Sequence, residues 1–190
     1  DSEDPAIVQL WNGISPYLEG KTDLEKANIL LYFVQANILY ESDEDAFGQS
    51  DYSQYPAETL FSEHGDCEDM AFLLYTLYDK AGLDAVLIRT DGHVSVGVNV
   101  DMVRGNYVTT PFSDTRYYIA EATGYKDVGQ DQIDKGLIRA FKPAPFFGTF
   151  LIIAGIIIIG AISPIIFNTA SEILGRRKDR KEVNAVADCM

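Results

Sequence analysis

From Asp66 to Ala81 the apolar side chains Cys67, Met70, Ala71, Leu74, Leu77, Tyr78 and Ala81 recur at intervals of three and four, the spacing that aligns residues on one helical face. Phe72, Leu73 and Tyr75 are also apolar and fall on the other sides. This helix is therefore predicted to be buried nearly all round, with Gly82 as its C-cap. Upstream, "TDLEKANILLYFVQANILYE" reads as a second helix: Thr22 and Glu25 have capping-box spacing, and Leu24, Asn28, Leu31, Gln35 and Ile38 follow one face. "PAIVQLWNGI" is a shorter helix with Pro5 in its first turn, halted before Pro16. After Gly82 the period changes to two. "DAVLIRT", "HVSVGVNV", "NYVTT" and "RYYIAEA" read as strands, joined by "DG" and "RGN", which favour tight turns. The expected class is α+β, with helices first and an antiparallel sheet after them.

Two stretches break these periods. The acidic segment "SDEDAFGQSDYSQYP" has Phe47 and Gln54 where the fifth and twelfth ligands of an EF-hand loop belong, so it reads as a solvated loop rather than a calcium loop. At the other end, residues 146 to 167 run for twenty-two positions without a charge. At the helical rise this spans roughly 30 Å, the thickness of a bilayer's hydrocarbon core. A transmembrane helix is expected over 146–168, and the cluster Arg176, Arg177, Lys178, Arg180 and Lys181 assigns the tail 169–190 to the cytoplasmic side. The N-terminal part then lies outside the cell membrane as a single-pass ectodomain, its partners being membrane lipid through the one span and a protein or peptide substrate. Because the chain opens on Asp1 with no signal sequence, the expectation is either a leader removed upstream or a trimmed start.

Charge narrows the function further. Residues 1–145 hold 10 Lys and Arg against 25 Asp and Glu, a net charge of −15. So acidic a domain repels nucleic acid, which is excluded as a partner. The chain has two cysteines, Cys67 and Cys189. On opposite sides of a membrane they cannot pair, which leaves Cys67 an unpaired thiol in an oxidising place. It is a reactive thiol or an inert core cysteine.

The stretch "SEHGDCEDMAF" places it. Asp66 sits where an N-cap belongs and Asp69 completes an acidic capping box, which makes Cys67 the first residue of the buried helix. There the free N–H groups and the dipole favour a thiolate and can receive an oxyanion. The neighbouring carboxylates oppose the thiolate, so a cation is needed, and the chain has two histidines, His64 and His93. His64 lies in the same turn and would have to fold back. His93 opens a strand straight after "DG", from where its ring can project onto a helix N-terminus, and it is the favoured base. Glu121, an acid between apolar neighbours on an adjacent strand, needs a partner and fits as the group that orients the imidazole.

The succession "YPAETL", "GDCEDMAFLLYTLYDKAGLDAVLI", "GHVSVGV" and "YYIAEATG" resembles the motifs of the transglutaminase-like superfamily, in particular archaeal and bacterial members with a "GDCED" nucleophile helix, over about residues 30 to 125. The resemblance implies a papain-like core in which Cys67 is the nucleophile, His93 the base and Glu121 the orienting acid. It departs from many relatives where "EAT" replaces "DPT". One branch, the calcium-dependent periplasmic cysteine proteases, holds calcium through acids flanking the nucleophile. Asp66, Glu68 and Asp69 match that pattern, but capping explains them equally, and no metal or cofactor is included in the expectation. A side-chain oxyanion donor is expected as well, and Gln35, polar on an apolar face, is the candidate.

The expected organisation is a catalytic domain over 1–125, a juxtamembrane segment over 126–145, the membrane helix and the basic tail. The expected function is cleavage or transfer of a peptide or isopeptide amide through an acyl-enzyme, with hydrolysis favoured by the resemblance. The alternative is a non-catalytic peptide-binding or structural subunit of a membrane assembly that keeps the fold.

Overall fold

The computed structural model describes residues 2–48, 52–111, 113–133 and 136–143. The chain divides into two units, 1–143 and 144–190. The expected membrane helix, the basic tail and Cys189 all lie outside the described residues. Among the described residues no helix is long and apolar enough to cross a membrane.

The helices come first. Helix α1 (Pro5–Ile14) starts at Asp4, whose carboxylate accepts the Ala6 N–H at 2.9 Å, and it passes into a 3-10 turn over Ser15–Leu18. Helix α2 (Asp23–Asn37) opens on the capping box expected from Thr22 and Glu25: the Thr22 N–H donates to Glu25 Oε2 at 2.8 Å, and the Glu25 N–H to Thr22 Oγ1 at 3.3 Å. A two-residue strand β1 (Leu39–Tyr40) follows, then the short helices α3 (Asp43–Phe47) and α4 (Pro56–Ser62), and strand β2 (His64–Gly65), which pairs with β1 in parallel. The acidic segment is thus not simply a solvated loop. Asp43 is buried and accepts the Tyr52 N–H, and Gln54 is buried against Asp69.

Helix α5 (Cys67–Lys80) is the centre of the core. Met70, Ala71, Leu73, Leu74, Leu77 and Tyr78 are each at most 2% exposed. The helix packs on the sheet on one side and on α2 and α4 on the other, which is why apolar residues are needed around most of its circumference. The Tyr78 hydroxyl donates to the Ala27 carbonyl at 3.0 Å, which satisfies a polar atom that the helix brings inside.

The sheet is built from β3 (Ala85–Thr90), β4 (His93–Val98), β5 (Tyr107–Thr110), β6 (Ser113–Ala120) and β7 (Leu137–Phe141), in the order β5-β6-β4-β3-β7 with every pair antiparallel. The edge strands β5 and β7 come into contact, so the sheet is curled. Alternation divides its faces. Leu87, Val96, Val98, Tyr118 and Ala120 join the helical core, while Val86, Ile88, Tyr117, Ile119 and Ala140 form a smaller cluster. Strand β7 falls inside the stretch read from the sequence as juxtamembrane. The folded sheet continues past residue 125, to Phe141.

Candidate active site

The segment Gly65–Asp69 sets the start of α5 through bonds that serve one another. Asp66 Oδ1 accepts the N–H of Glu68 at 2.9 Å and of Asp69 at 3.3 Å, and Asp69 Oδ2 accepts the Asp66 N–H at 3.2 Å. Asp69 is fully buried and also takes the Gln54 N–H at 2.7 Å and the Gln54 side-chain amide at 2.9 Å. Burial pushes the Asp69 carboxyl up, and the donors from Gln54 and Asp66 pull against that rise. The turn has no room for a side chain at Gly65, where a Cβ would stand 2.7 Å from Asp69 Cβ. These bonds use the amides of Glu68 and Asp69, with Met70 bonded to the Asp66 carbonyl at 3.1 Å, and none of them uses the Cys67 N–H. Cys67 is half-buried, a free thiol at the first position of α5.

His93 is carried to it by the turn Asp91–Gly92, in which Gly92 takes a φ of +71° and Thr90 pairs with His93 across the hairpin. Cys67 and His93 line one cleft of about 260 Å³, and the thiol is the largest influence raising the proton affinity of the ring. On the far side of the ring, His93 Nε2 lies 2.7 Å from Glu121 Oε2, which leaves Nδ1 as the nitrogen for the sulfur. The bond to Cys67, and after it the bond to Glu121, push the His93 imidazole up to about 10 against the opposing effect of burial. Burial works to raise the Glu121 carboxyl, but the bonds from His93 and Thr123 outweigh it and hold the group below the usual carboxylate range. At 8% exposure this acid is largely removed from water.

Glu121 stands one residue beyond β6 rather than within the strand. Its second oxygen, Oε1, accepts the Thr123 N–H at 3.0 Å and the Thr123 hydroxyl at 2.7 Å. Thr123 therefore fixes the carboxylate, and the sequence reading did not single it out. The signal was present: a hydroxyl residue two positions after an acid is a pattern for local side-chain and backbone bonding.

Gln35 is not brought to this cleft. Its side-chain nitrogen donates to the backbone carbonyls of Glu121 at 2.9 Å, Lys126 at 3.1 Å and Gly124. With its donors occupied there, it ties the loop that carries Glu121 to α2 and is not placed to receive an oxyanion. His64 is also elsewhere, on β2, with Nδ1 3.5 Å from a Glu41 oxygen. Carboxylate oxygens of Asp66, Glu68 and Asp69 lie within 4.8 Å of one another. The capping bonds, the Gln54 donors and a bond from Ser53 to Glu68 each use oxygens of this group.

The family model described as the transglutaminase-like superfamily matches residues 14–124. Among solved structures, Legionella pneumophila LapG superposes with a TM-score of 0.52 at 20% identity, over 71% of this chain and 74% of that one. EGTA-treated LapG of the same organism gives 0.52 at 20% identity, over 70% of each chain. At that identity the likeness concerns the fold. No curated protein matches the chain.

Proposed function

The chain belongs to the transglutaminase-like superfamily, and from that membership and the ring between Cys67 and Glu121 we propose that it is a thiol enzyme that cleaves or transfers a peptide or isopeptide amide through a Cys67 acyl-enzyme. The observation that carries this reading is a single imidazole that shares a cleft with the Cys67 thiol and is bonded on its other side to a buried, doubly fixed carboxylate. An acid–base histidine needs a thiol within reach to exchange the proton and a fixed carboxylate to hold the ring.

In the proposed cycle the proton of Cys67 resides on His93, and Sγ attacks the amide carbon to form a C–S bond. The carbonyl oxygen becomes an oxyanion facing the Cys67 N–H at the start of α5. Collapse breaks the C–N bond, and His93 gives its proton to the leaving amine. The neutral ring then deprotonates water, which attacks the thioester, releases the acid and returns the proton to the Cys67–His93 pair. An amine in place of water makes the same step a transfer. We further propose that the enzyme is anchored by the span at 146–168, with its catalytic part outside the cytoplasm.

The test is iodoacetamide alkylation of the full chain in detergent near neutral pH, with Cys189→Ser so that Cys67 is the one remaining thiol. Cys67 is expected to react fast in the otherwise native chain and on the order of 100-fold more slowly in His93→Ala, the scale of a lost acid–base partner. Peptide turnover should vanish in Cys67→Ala. Equal alkylation with and without His93 overturns the proposal.

A further inference from the structure

Strands β3 and β7 are registered so that Arg89 and Arg139 are Cα partners, one step from the pair Leu87 and Phe141 along the ladder. Alternation puts all four on the face that meets α5. Arg89, Leu87 and Phe141 line the cleft of Cys67 and His93, together with Phe72. Arg139 lies over the Phe141 ring at 5.4 Å, which holds its guanidinium beside that wall. A register shift between Arg89 and Thr90 breaks the ladder at this point, a device that re-aims side chains at functional edges.

Two arginines directly opposite on one sheet face repel each other, and among the described residues no ion pair relieves them. In a chain with 29 acids, Lys26, Lys80, Lys126 and Lys142 are each in an ion pair, with Asp23, Glu3, Asp131 and Asp84. Neither Arg89 nor Arg139 is in an ion pair among the described residues, and both are exposed. The acids of the same cleft are engaged elsewhere: Asp66 caps α5, and Glu68 takes the Ser53 hydroxyl. A paired positive site that is in no ion pair among the described residues, next to an apolar wall and the thiol, is complementary to a carboxylate that arrives with a ligand. Arginine suits that geometry because its planar fork can grip both oxygens.

We propose that Arg89 and Arg139 form a carboxylate-reading subsite of this cleft, which selects substrates that carry an acidic group beside an apolar residue. The proposal rests on the thiol-enzyme reading and names its substrate class. The carboxylate is a Glu or Asp side chain or a chain terminus. The subsite acts at short range, because at a distance the net charge of −14 repels any acidic peptide.

The experiment uses the full chain with Cys189→Ser and three alkylating probes: chloroacetyl-Leu-Glu-amide, chloroacetyl-Leu-Gln-amide and chloroacetyl-Leu-Gln with a free carboxyl terminus. Rates of Cys67 labelling are compared by mass spectrometry. One of the acidic probes is expected to exceed the neutral probe about 5-fold or more, the scale of one charge-assisted bond, and which one it is identifies the source of the carboxylate. In Arg89→Gln the ratio should fall toward one, and in Arg139→Gln it should fall in the same direction, so a folding failure in one variant leaves the other to decide. Arg104→Gln, on an exposed loop, should keep the ratio. Equal rates for all three probes, or a ratio that survives both substitutions, overturns the subsite. The thiol-enzyme reading fails separately, by iodoacetamide labelling that does not depend on His93.

Discussion

His93 is held between two groups that favour its charged form, and this has a thermodynamic consequence. Its proton is bound more tightly in the folded chain, about 10, than in an unfolded one, about 6.5. A raised folded value stabilises fully below the unfolded value, and that stabilisation is lost as pH rises through the folded value. The Tm advantage of the native chain over His93→Gln should therefore be largest near pH 6, shrink steadily across the window from about 6.5 to about 10, and vanish above it. A difference in Tm that stays flat through that window would show that the ring gains no proton affinity from Cys67 and Glu121. At this scale the sequence was readable where chemistry is scarce. With two cysteines and two histidines, the search for a thiol and its base had few outcomes, and a carboxylate inside an apolar stretch announced its need for a partner. Gln35 was readable only as unusual. Its three acceptors lie 86 to 91 positions away in the chain, and no local pattern distinguishes an amide that donates to a loop from one aimed at a substrate.

At the scale of elements, what was legible is what local bonds decide. The caps of α2 and α5 follow from side chains two or three residues from the amides they satisfy, and the period-two strands β3 and β4 bury one or both faces. Strand β7 was not legible, because five residues with Arg139 in their midst become a strand by pairing with the edge of β3, an event far away in sequence. Burial of Gln54 in the acidic segment likewise depends on a partner elsewhere, Asp69 of α5. The motif Gly65-Asp66-Cys67 also has a physical reading at this scale: the glycine lets Asp69 close over the turn, and Asp66 and Asp69 then fix the first turn of α5. Gly65→Ala should force Asp69 away from its 2.7 Å approach and cost about 1–3 kcal/mol, the range for overpacking a tight site. Urea unfolding measures that loss. Because the same displacement moves Cys67, iodoacetamide labelling should slow in the folded variant as well. A variant with native stability and native labelling would separate the glycine from the placement of the nucleophile.

For the whole molecule, charge and hydropathy divide the chain more sharply than any other property. The first 145 residues carry −15 and the remainder +1, with five basic residues just beyond twenty-two uncharged ones. An acidic domain faces little penalty outside a cell, whereas a basic cluster next to an apolar span is retained on the cytoplasmic side. The same division separates the two thiols. Cys67 would stand outside, paired chemically with His93 rather than with another cysteine, and Cys189 would remain among reducing agents inside. The arrangement predicts the result of labelling intact cells with a membrane-impermeant maleimide. Cys67 should react, and its labelling should slow when His93 is replaced. Cys189 should react only after the membrane is permeabilised, and a protease added outside should remove the N-terminal domain while leaving the basic tail protected. Labelling of Cys189 in intact cells would reverse the orientation. It would place the acidic domain in the cytoplasm, where an unpaired thiol is ordinary, and the case for Cys67 would then rest on its geometry with His93 and Glu121 alone.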